Sequence, residues 1–274
     1  MNIPVLKTVF VLAIALLSSC AAPSADFEKA KNALAEKDYA TAARELQSLA
    51  DQGNAEARSL LGTLYHDGTG VSQNYEIAAQ LHRSAAEQGI VEAIYNLGNA
   101  YEYGLGVPQN WEEALRLYRR AAEQGFPAAQ FNLGTAYAKG EGVPWNPETA
   151  AEWYRRAAEQ GHAKAQQNLG LAYATGEGVP QDREMAAEWF RRAAEQGLVE
   201  AQASLGGAYC FGEGVIQNYI YAHMWLNLAA SRGSEAAAEK RDIITDLMTP
   251  EQIAEAQRLA AECLKNDYKG CSLP

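Results

Sequence analysis

A single glycine returns every 36 residues along most of this chain, at Gly62, Gly98, Gly134, Gly170 and Gly206. Its surroundings return with it. Tyr65, Tyr101, Tyr137, Tyr173 and Tyr209 hold one phase, and Ala42, Ala78, Ala114, Ala150, Ala186 and Ala222 hold another. A period of that length marks stacked supersecondary units, none of which can bury its apolar face alone. By length, 274 residues would fill one or two globular domains. The repeat instead predicts one elongated domain, with function on an extended surface rather than in one enclosed pocket.

One unit, residues 91–125, shows the physics. Ala93, Leu97, Ala100 and Tyr101 form one helical stripe. Gly98 stands inside that helix, where it costs about 1 kcal/mol relative to Ala. Its recurrence predicts a crossing point at which only a hydrogen side chain lets a partner helix approach. Gly104 is expected to cap the helix in the left-handed conformation. Leu105-Gly106-Val107-Pro108 then makes a turn, with Val107 plugging the gap between the two helices. Asn110 is an N-cap candidate for the second helix, with Glu113 in capping-box position. In the next unit Asn146 is followed by Pro147, a residue best tolerated at the first helical position. The second helix packs through Ala114, Leu117, Tyr118, Ala121 and Ala122, and Gly125 closes it. On its outer face Glu112 and Arg116, Glu152 and Arg156, and Glu188 and Arg192 stand four apart, a spacing worth a few tenths of a kcal/mol per pair. The Arg-Arg pairs at 119–120, 155–156 and 191–192 are followed by Glu123, Glu159 and Glu195. That pattern suits a solvated face better than a basic ladder.

The pattern A-x-x-x-L-G-x-x-Y-x-x-G-x-G-V…A-x-x-W/L-Y/F-x-x-A-A-E-x-G resembles the SEL-1-like repeat (SLR), a relative of the tetratricopeptide repeat with a longer inter-helix turn. Five units match, at 55–89, 91–125, 127–161, 163–197 and 199–233. The resemblance implies an all-α fold, a right-handed α/α superhelical solenoid of helix-turn-helix repeats. It also implies a scaffold or adaptor role, in bacteria often at the envelope. Residues 26–53 keep the phase of a second helix without the Gly-x-Gly-Val turn and read as N-terminal capping helices. Residues 234–274 read as C-terminal capping helices and tail, with Arg241-Asp242 replacing the Leu-Gly pair and a capping box at Thr249-Pro250-Glu251-Gln252. Terminal repeats need such polar outer faces.

The N-terminus adds a targeting expectation. Thr8 to Leu17 is nearly continuous apolar residue, too short for the roughly 20 residues of a membrane span but suited to a signal peptide. It ends in Leu17-Ser18-Ser19-Cys20, which resembles a bacterial lipobox. Residues 1–19 are thus expected to be a lipoprotein signal peptide, Cys20 the lipid-attachment residue and 20–25 a short linker. By that resemblance the membrane is reached through the anchor on Cys20. Ala21-Ala22, in place of an aspartate, points to the outer membrane and its periplasmic side. Of the remaining cysteines, Cys263 and Cys271 are eight apart, and a disulfide there would hold the C-terminus at a gain of about 2–3 kcal/mol. Pairings with Cys210 remain open at this point.

No catalytic residue, cofactor site or metal site is expected. His66, His82, His162 and His223 show no recurring ligand spacing, and His82 takes the column held by Tyr118, Tyr154 and Phe190, as a packing residue would. The Gly-x-Gly turns lack the third glycine and preceding strand of a dinucleotide site. A net charge of −11 argues against nucleic acid. Some cysteine-rich SLR proteins are described as acting on β-lactams, but the matching cysteine columns here hold alanine, such as Ala93 with Ala122, so no enzyme activity is carried over. By similarity to tetratricopeptide stacks, the first helix of each unit lines the concave side, whose exposed columns vary. They include Ser59, Tyr95, Phe131, Gln167 and Ala203, and Thr63, Asn99, Thr135, Leu171 and Gly207. Tyr95 and Phe131 are the expected anchors for a protein or peptide partner. Asn96, Asn132 and Asn168 form a further row whose amides either grip a peptide backbone or bond neighbouring helices. A polysaccharide or other cell-wall polymer is the alternative ligand, with exposed aromatics such as Trp145 stacking on sugar rings.

Overall fold

A computed structural model describes residues 25–271, all of whose regular elements are helices. The signal segment, Cys20 and most of the linker lie outside the described residues. An N-terminal pair, α1 (Ala25–Ala35) and α2 (Tyr39–Asp51), precedes five repeats. Their first helices are α3 (Ala55–Asp67), α5 (Val91–Tyr103), α7 (Pro127–Lys139), α9 (Ala163–Thr175) and α11 (Val199–Phe211). Their second helices are α4 (Tyr75–Glu87), α6 (Trp111–Glu123), α8 (Pro147–Glu159), α10 (Arg183–Ala194) and α12 (Tyr219–Ser231). A closing pair, α13 (Glu235–Thr245) and α14 (Pro250–Lys265), packs on α12. Each repeat helix packs on its neighbours in the chain, which is the contact pattern of an α/α solenoid. No helix among the described residues is long and apolar enough to cross a membrane.

Local chemistry sets each boundary. Asn74, Asn110, Asn146, Asp182 and Asn218 cap the second helices, each side chain accepting from a backbone N–H two or three residues on. The capping box expected at Asn110 is only half present. Glu113 donates its backbone N–H to Asn110, but its carboxylate turns forward to Arg116 at 2.6 Å. Glu113 therefore takes the arginine expected to pair with Glu112. Arg156 likewise stacks on Trp153, 4.6 Å from the ring centre, rather than pairing with Glu152. Glu188 and Arg192 do meet, at 2.9 Å. Gly104 ends α5 at φ +69°, as a left-handed cap. Gly106 does more than turn the chain. At φ +71°, a Cβ there would fall 2.0 Å from the Tyr75 carbonyl oxygen, so the turn of one repeat lies directly on the second helix of the one before.

Two sets of bonds between repeats were hidden in the sequence. Arg83, Arg119 and Arg155 donate to the hydroxyls of Tyr101, Tyr137 and Tyr173 in the following repeat, at 3.0, 3.2 and 3.2 Å. The first arginine of each Arg-Arg pair from 119 to 156 is therefore a stitch rather than part of a free solvated face, and the periodic tyrosine is its acceptor. Inside the stack, Gln130, Gln166 and Gln202 donate to the C-terminal carbonyls of the preceding repeat's helix, and within their own repeats Gln160 and Gln196 donate to Gln130 and Gln166. Buried amides bonded in this way, both ends of Gln130 and Gln166 and the nitrogen of Gln202, fix the register of neighbouring units. At the C-terminal end Cys263 and Cys271 are disulfide-bonded, with Cα atoms 5.2 Å apart, and Cys210 is free and half-buried.

Candidate interaction surface

The recurring glycine of each first helix faces one side chain of the second. A Cβ on Gly98 would lie 2.7 Å from Tyr118 Cε1; on Gly134, 2.8 Å from Tyr154; on Gly170, 2.6 Å from Phe190; on Gly206, 2.8 Å from Leu226. The expected close approach is thus of a side chain onto the helix, and in three repeats that side chain is an aromatic ring. The residue opposite the ring tip matches its chemistry. Tyr118 Oη lies 2.6 Å from Asn99 Oδ1 and against the Glu102 carboxylate, and Asn132 of the next repeat also reaches it. Burial, with Glu102 beside it, raises the Tyr118 phenol well above its ordinary pKa, so it stays a neutral donor. Tyr154 Oη meets Thr135 Oγ1 at 3.3 Å. Phe190, which has no hydroxyl, faces a column occupied by Leu171.

The first repeat breaks this pattern. His82 occupies the ring column, packed on Gly62 and only 3% exposed, as a packing residue should be. Imidazole is shorter than hydroxyphenyl, and beyond it lies a cavity of about 220 Å³ bounded by Thr63, His66, Asn96, Asn99 and Leu105. Burial lowers the His82 pKa to about 4; His66 lowers it further and Asp67 opposes. The ring is therefore neutral at pH 7. A related cavity of about 250 Å³ occurs at the corresponding place three repeats later, between Phe190, Ser204, Gly207, Phe211 and Lys240. There the opening comes from Gly207, which stands in the Asn99 column without a side chain to fill it.

Next to the first cavity runs a groove of about 540 Å³ lined by α1, α3 and α5, with Phe27, Leu60, Ile90, Tyr95 and Phe126 as its apolar wall. Thr63 and Asn96 border both spaces, so cavity and groove adjoin. The groove's charged residues Glu56, Glu92 and Lys31 are all exposed, and Lys31 pairs with Glu28 at 2.8 Å and lies over the Phe27 ring.

The residues expected to contact a partner divide between these features. Tyr95 lines the groove, half-buried, with its ring against Phe126 at 5.1 Å and Tyr118 at 5.7 Å. Asn96 and Asn99 line the cavity, and Asn99 also accepts from Tyr118. Asn132 serves Tyr118, which favours the inter-helix role for that amide. Phe131 sits one repeat further on, stacked on His162 with ring centres 4.8 Å apart, and does not line the groove. Asn168 is half-buried and lines neither space. Phe27, Leu60 and His66 were not singled out from sequence. The first lies outside the period, and the other two sit in columns whose exposure depends on what the neighbouring helix leaves open.

Trp145 is 61% exposed at the start of the segment leading into α8. At the same position in the other repeats Gln73, Gln109, Gln181 and Gln217 each donate, at 2.8 Å, to a carbonyl at the end of the preceding helix. Trp145 thus exchanges a stabilising bond for an exposed ring. Burial raises the pKa of the Cys210 thiol, which keeps it protonated. Among the described residues no group of three or more His, Cys, Asp or Glu side chains could hold a metal ion.

A family model described as Sel1 repeat matches residues 55–90, 91–126, 127–162, 163–198 and 199–234. Among solved structures, a Sel1 repeat protein from Oxalobacter formigenes is 30% identical, with a TM-score of 0.75 over 87% of this chain and 99% of its own. A protective antigen of uropathogenic Escherichia coli displaying an SLR fold is 29% identical over 85% of this chain and 66% of its own, with a TM-score of 0.45. A Sel1 repeat protein from Klebsiella pneumoniae is 23% identical over 74% of this chain and 99% of its own, with a TM-score of 0.48. No curated protein matches the sequence.

Proposed function

The chain belongs to the Sel1 repeat family, and from that membership we propose that it is a non-catalytic scaffold that holds a protein partner on the face built by its first helices. The observation that carries this reading is the groove across α1, α3 and α5, where aromatic and aliphatic side chains from the first helices of three successive units and the turns beside them form one wall under an acidic rim. Partly buried aromatic anchors beside polar edges are the usual composition of an interface centre. The proposed scaffold is lipid-anchored through Cys20 at the periplasmic side of the outer membrane, on the strength of the apolar run ending in Leu17-Ser18-Ser19-Cys20.

Crosslinking in intact cells, followed by affinity capture, tests the interaction. Tyr95→Ala is expected to reduce recovery of the partner about tenfold or more, the loss typical of an anchor residue. Phe131→Ala is expected to have a smaller effect, since Phe131 lies outside the groove. Recovery unchanged by Tyr95→Ala would remove the groove from the proposal. For the anchor, a Cys20→Ala chain that stays in the membrane fraction would contradict lipidation.

A second reading, binding of an envelope polysaccharide, is favoured by Trp145, which replaces a bonded glutamine with an exposed ring. Its test is retention on immobilised cell-wall glycans by the wild-type protein and loss of retention by Trp145→Ala. Equal retention of the two proteins would discard it.

A further inference from the structure

The cavity beside His82 has the outline of a missing side chain. In the second repeat the place bounded by Asn99, Glu102 and Asn132 receives the hydroxyphenyl group of Tyr118. One repeat earlier the equivalent positions are Thr63, His66 and Asn96, and the ring column holds His82. The protein therefore carries, within itself, an example of a phenol hydroxyl received among the equivalent polar tips, although in the first repeat the His82 ring keeps the place on Gly62 and the open space lies beyond it. The cavity of about 220 Å³ is ample for a six-membered ring, given that buried cavities near 150 Å³ admit benzene. The site is also polar enough to receive a hydroxyl. His82 Nδ1 is buried without a hydrogen-bond partner, and Asn96, Asn99 and Thr63 present their side chains at its boundary.

We propose that this cavity is a docking pocket for a tyrosine side chain of a partner segment, which continues along the adjoining groove with a basic residue beside Glu56 and Glu92. The charge argument comes from the rim. Glu56 and Glu92 are exposed there, and the neighbouring Lys31 is already engaged with Glu28, so the groove presents net negative charge to whatever crosses it. The apolar wall of Phe27, Leu60 and Tyr95 receives the stem of the segment, and the two spaces lie side by side across Thr63 and Asn96, within reach of one extended chain. This pocket deepens the scaffold reading and rests on it, because it assigns a side chain to the groove already proposed.

Fluorescence anisotropy with the 274-residue chain and labelled, end-capped peptides tests it. The probes are Gly-Ser-flanked Lys-Tyr-Lys, Lys-Ala-Lys and Glu-Tyr-Glu, with p-cresol as a competitor that carries only the side chain. Saturable binding of the Lys-Tyr-Lys peptide is expected, weakened about tenfold or more when tyrosine becomes alanine or lysine becomes glutamate, a discrimination of roughly 1.4 kcal/mol. His82→Tyr should fill the cavity from within, as Tyr118 does, raise the melting temperature and abolish binding. The double variant Glu56→Lys and Glu92→Lys, both at exposed positions, should weaken the basic peptide and favour the acidic one whether or not His82→Tyr folds well. Failure of p-cresol to compete, or full binding by a folded His82→Tyr protein, overturns the pocket. If His82→Tyr binds normally while Tyr95→Ala does not, the groove stands and the pocket falls. No peptide binding to the wild-type chain, or self-association abolished by His82→Tyr in place of peptide binding, also overturns it.

Discussion

Repeats 55–90 and 91–126 share a backbone plan and diverge at one ring. Both set a glycine under the second helix, at Gly62 and Gly98, and both put the facing side chain almost wholly out of solvent. In the second repeat Tyr118 reaches across to Asn99 and Glu102 and closes the space between units. In the first, His82 stops short and leaves it open. A solenoid whose units are nearly interchangeable can thus create a binding site by omission, without adding a loop or bending a helix. The position of the site is set by which unit departs from the common pattern, and in this chain that unit adjoins the aromatic groove.

Converting the closed unit into the open one is the severest test. Tyr118→His removes a buried phenol and deprives Asn99 and Glu102 of the hydroxyl they share, and is expected to destabilise the protein by about 3–4 kcal/mol. The measurement is the midpoint of chemical denaturation. It should also open a second cavity that takes up p-cresol. A midpoint within error of wild type would mean that the ring does not fill the interface as described.

Substituting the glycines separates the two repeats with less damage. Alanine at position 98 would place its Cβ 2.7 Å from the fully packed Tyr118 ring, which has nowhere to move, and should cost about 2–3 kcal/mol. Alanine at position 62 meets His82 at a similar 2.8 Å, but the cavity lets the imidazole retreat, so the expected cost is below about 1 kcal/mol. Equal costs would show that the first repeat is as tightly packed as the second.

How far these differences could be read in advance depends on their physical origin. The period, the helix caps at Asn110 and Asn146 and the left-handed Gly104 are local features, and local features leave a mark in spacing and residue type. His82 in an aromatic column was visible for the same reason. Its consequence was not, because a cavity is a relation among Thr63, His66, Asn96 and Asn99 on two helices of different repeats. The arginine–tyrosine stitches escaped on similar grounds. The arginines looked solvated because glutamate follows each pair, whereas their partners stand 18 residues away in the next unit. Tyr95 was identified as an anchor from its variable column, and it lines the groove. Phe131, in the same column, is drawn off by His162, whose ring takes the stacking position that the Phe126 ring offers Tyr95.

The mildest separation of the two repeats uses pH. An ordinary histidine titrates near 6.5, whereas burial holds His82 at about 4 in the folded chain, with His66 adding to the effect and Asp67 opposing it. Because the folded value lies below the unfolded one, the unfolded chain binds the extra proton first. The stability linked to neutral His82 is therefore fully present above about pH 6.5 and is lost as the pH falls toward 4. His162 and His223 are also lowered by burial and pull in the same direction, so the informative quantity is the difference between wild type and His82→Tyr. Tyrosine carries no charge change in that window. The two stability curves should run parallel above pH 6.5 and diverge below it, by on the order of 1–2 kcal/mol at pH 4.5, the wild type falling faster. The expected divergence is smaller than full burial would give, since the open cavity lets a charged imidazole shift and hydrate. Parallel curves throughout would mean that His82 already titrates normally. The ring would then be in free contact with water, and its burial in the first repeat would not be as described.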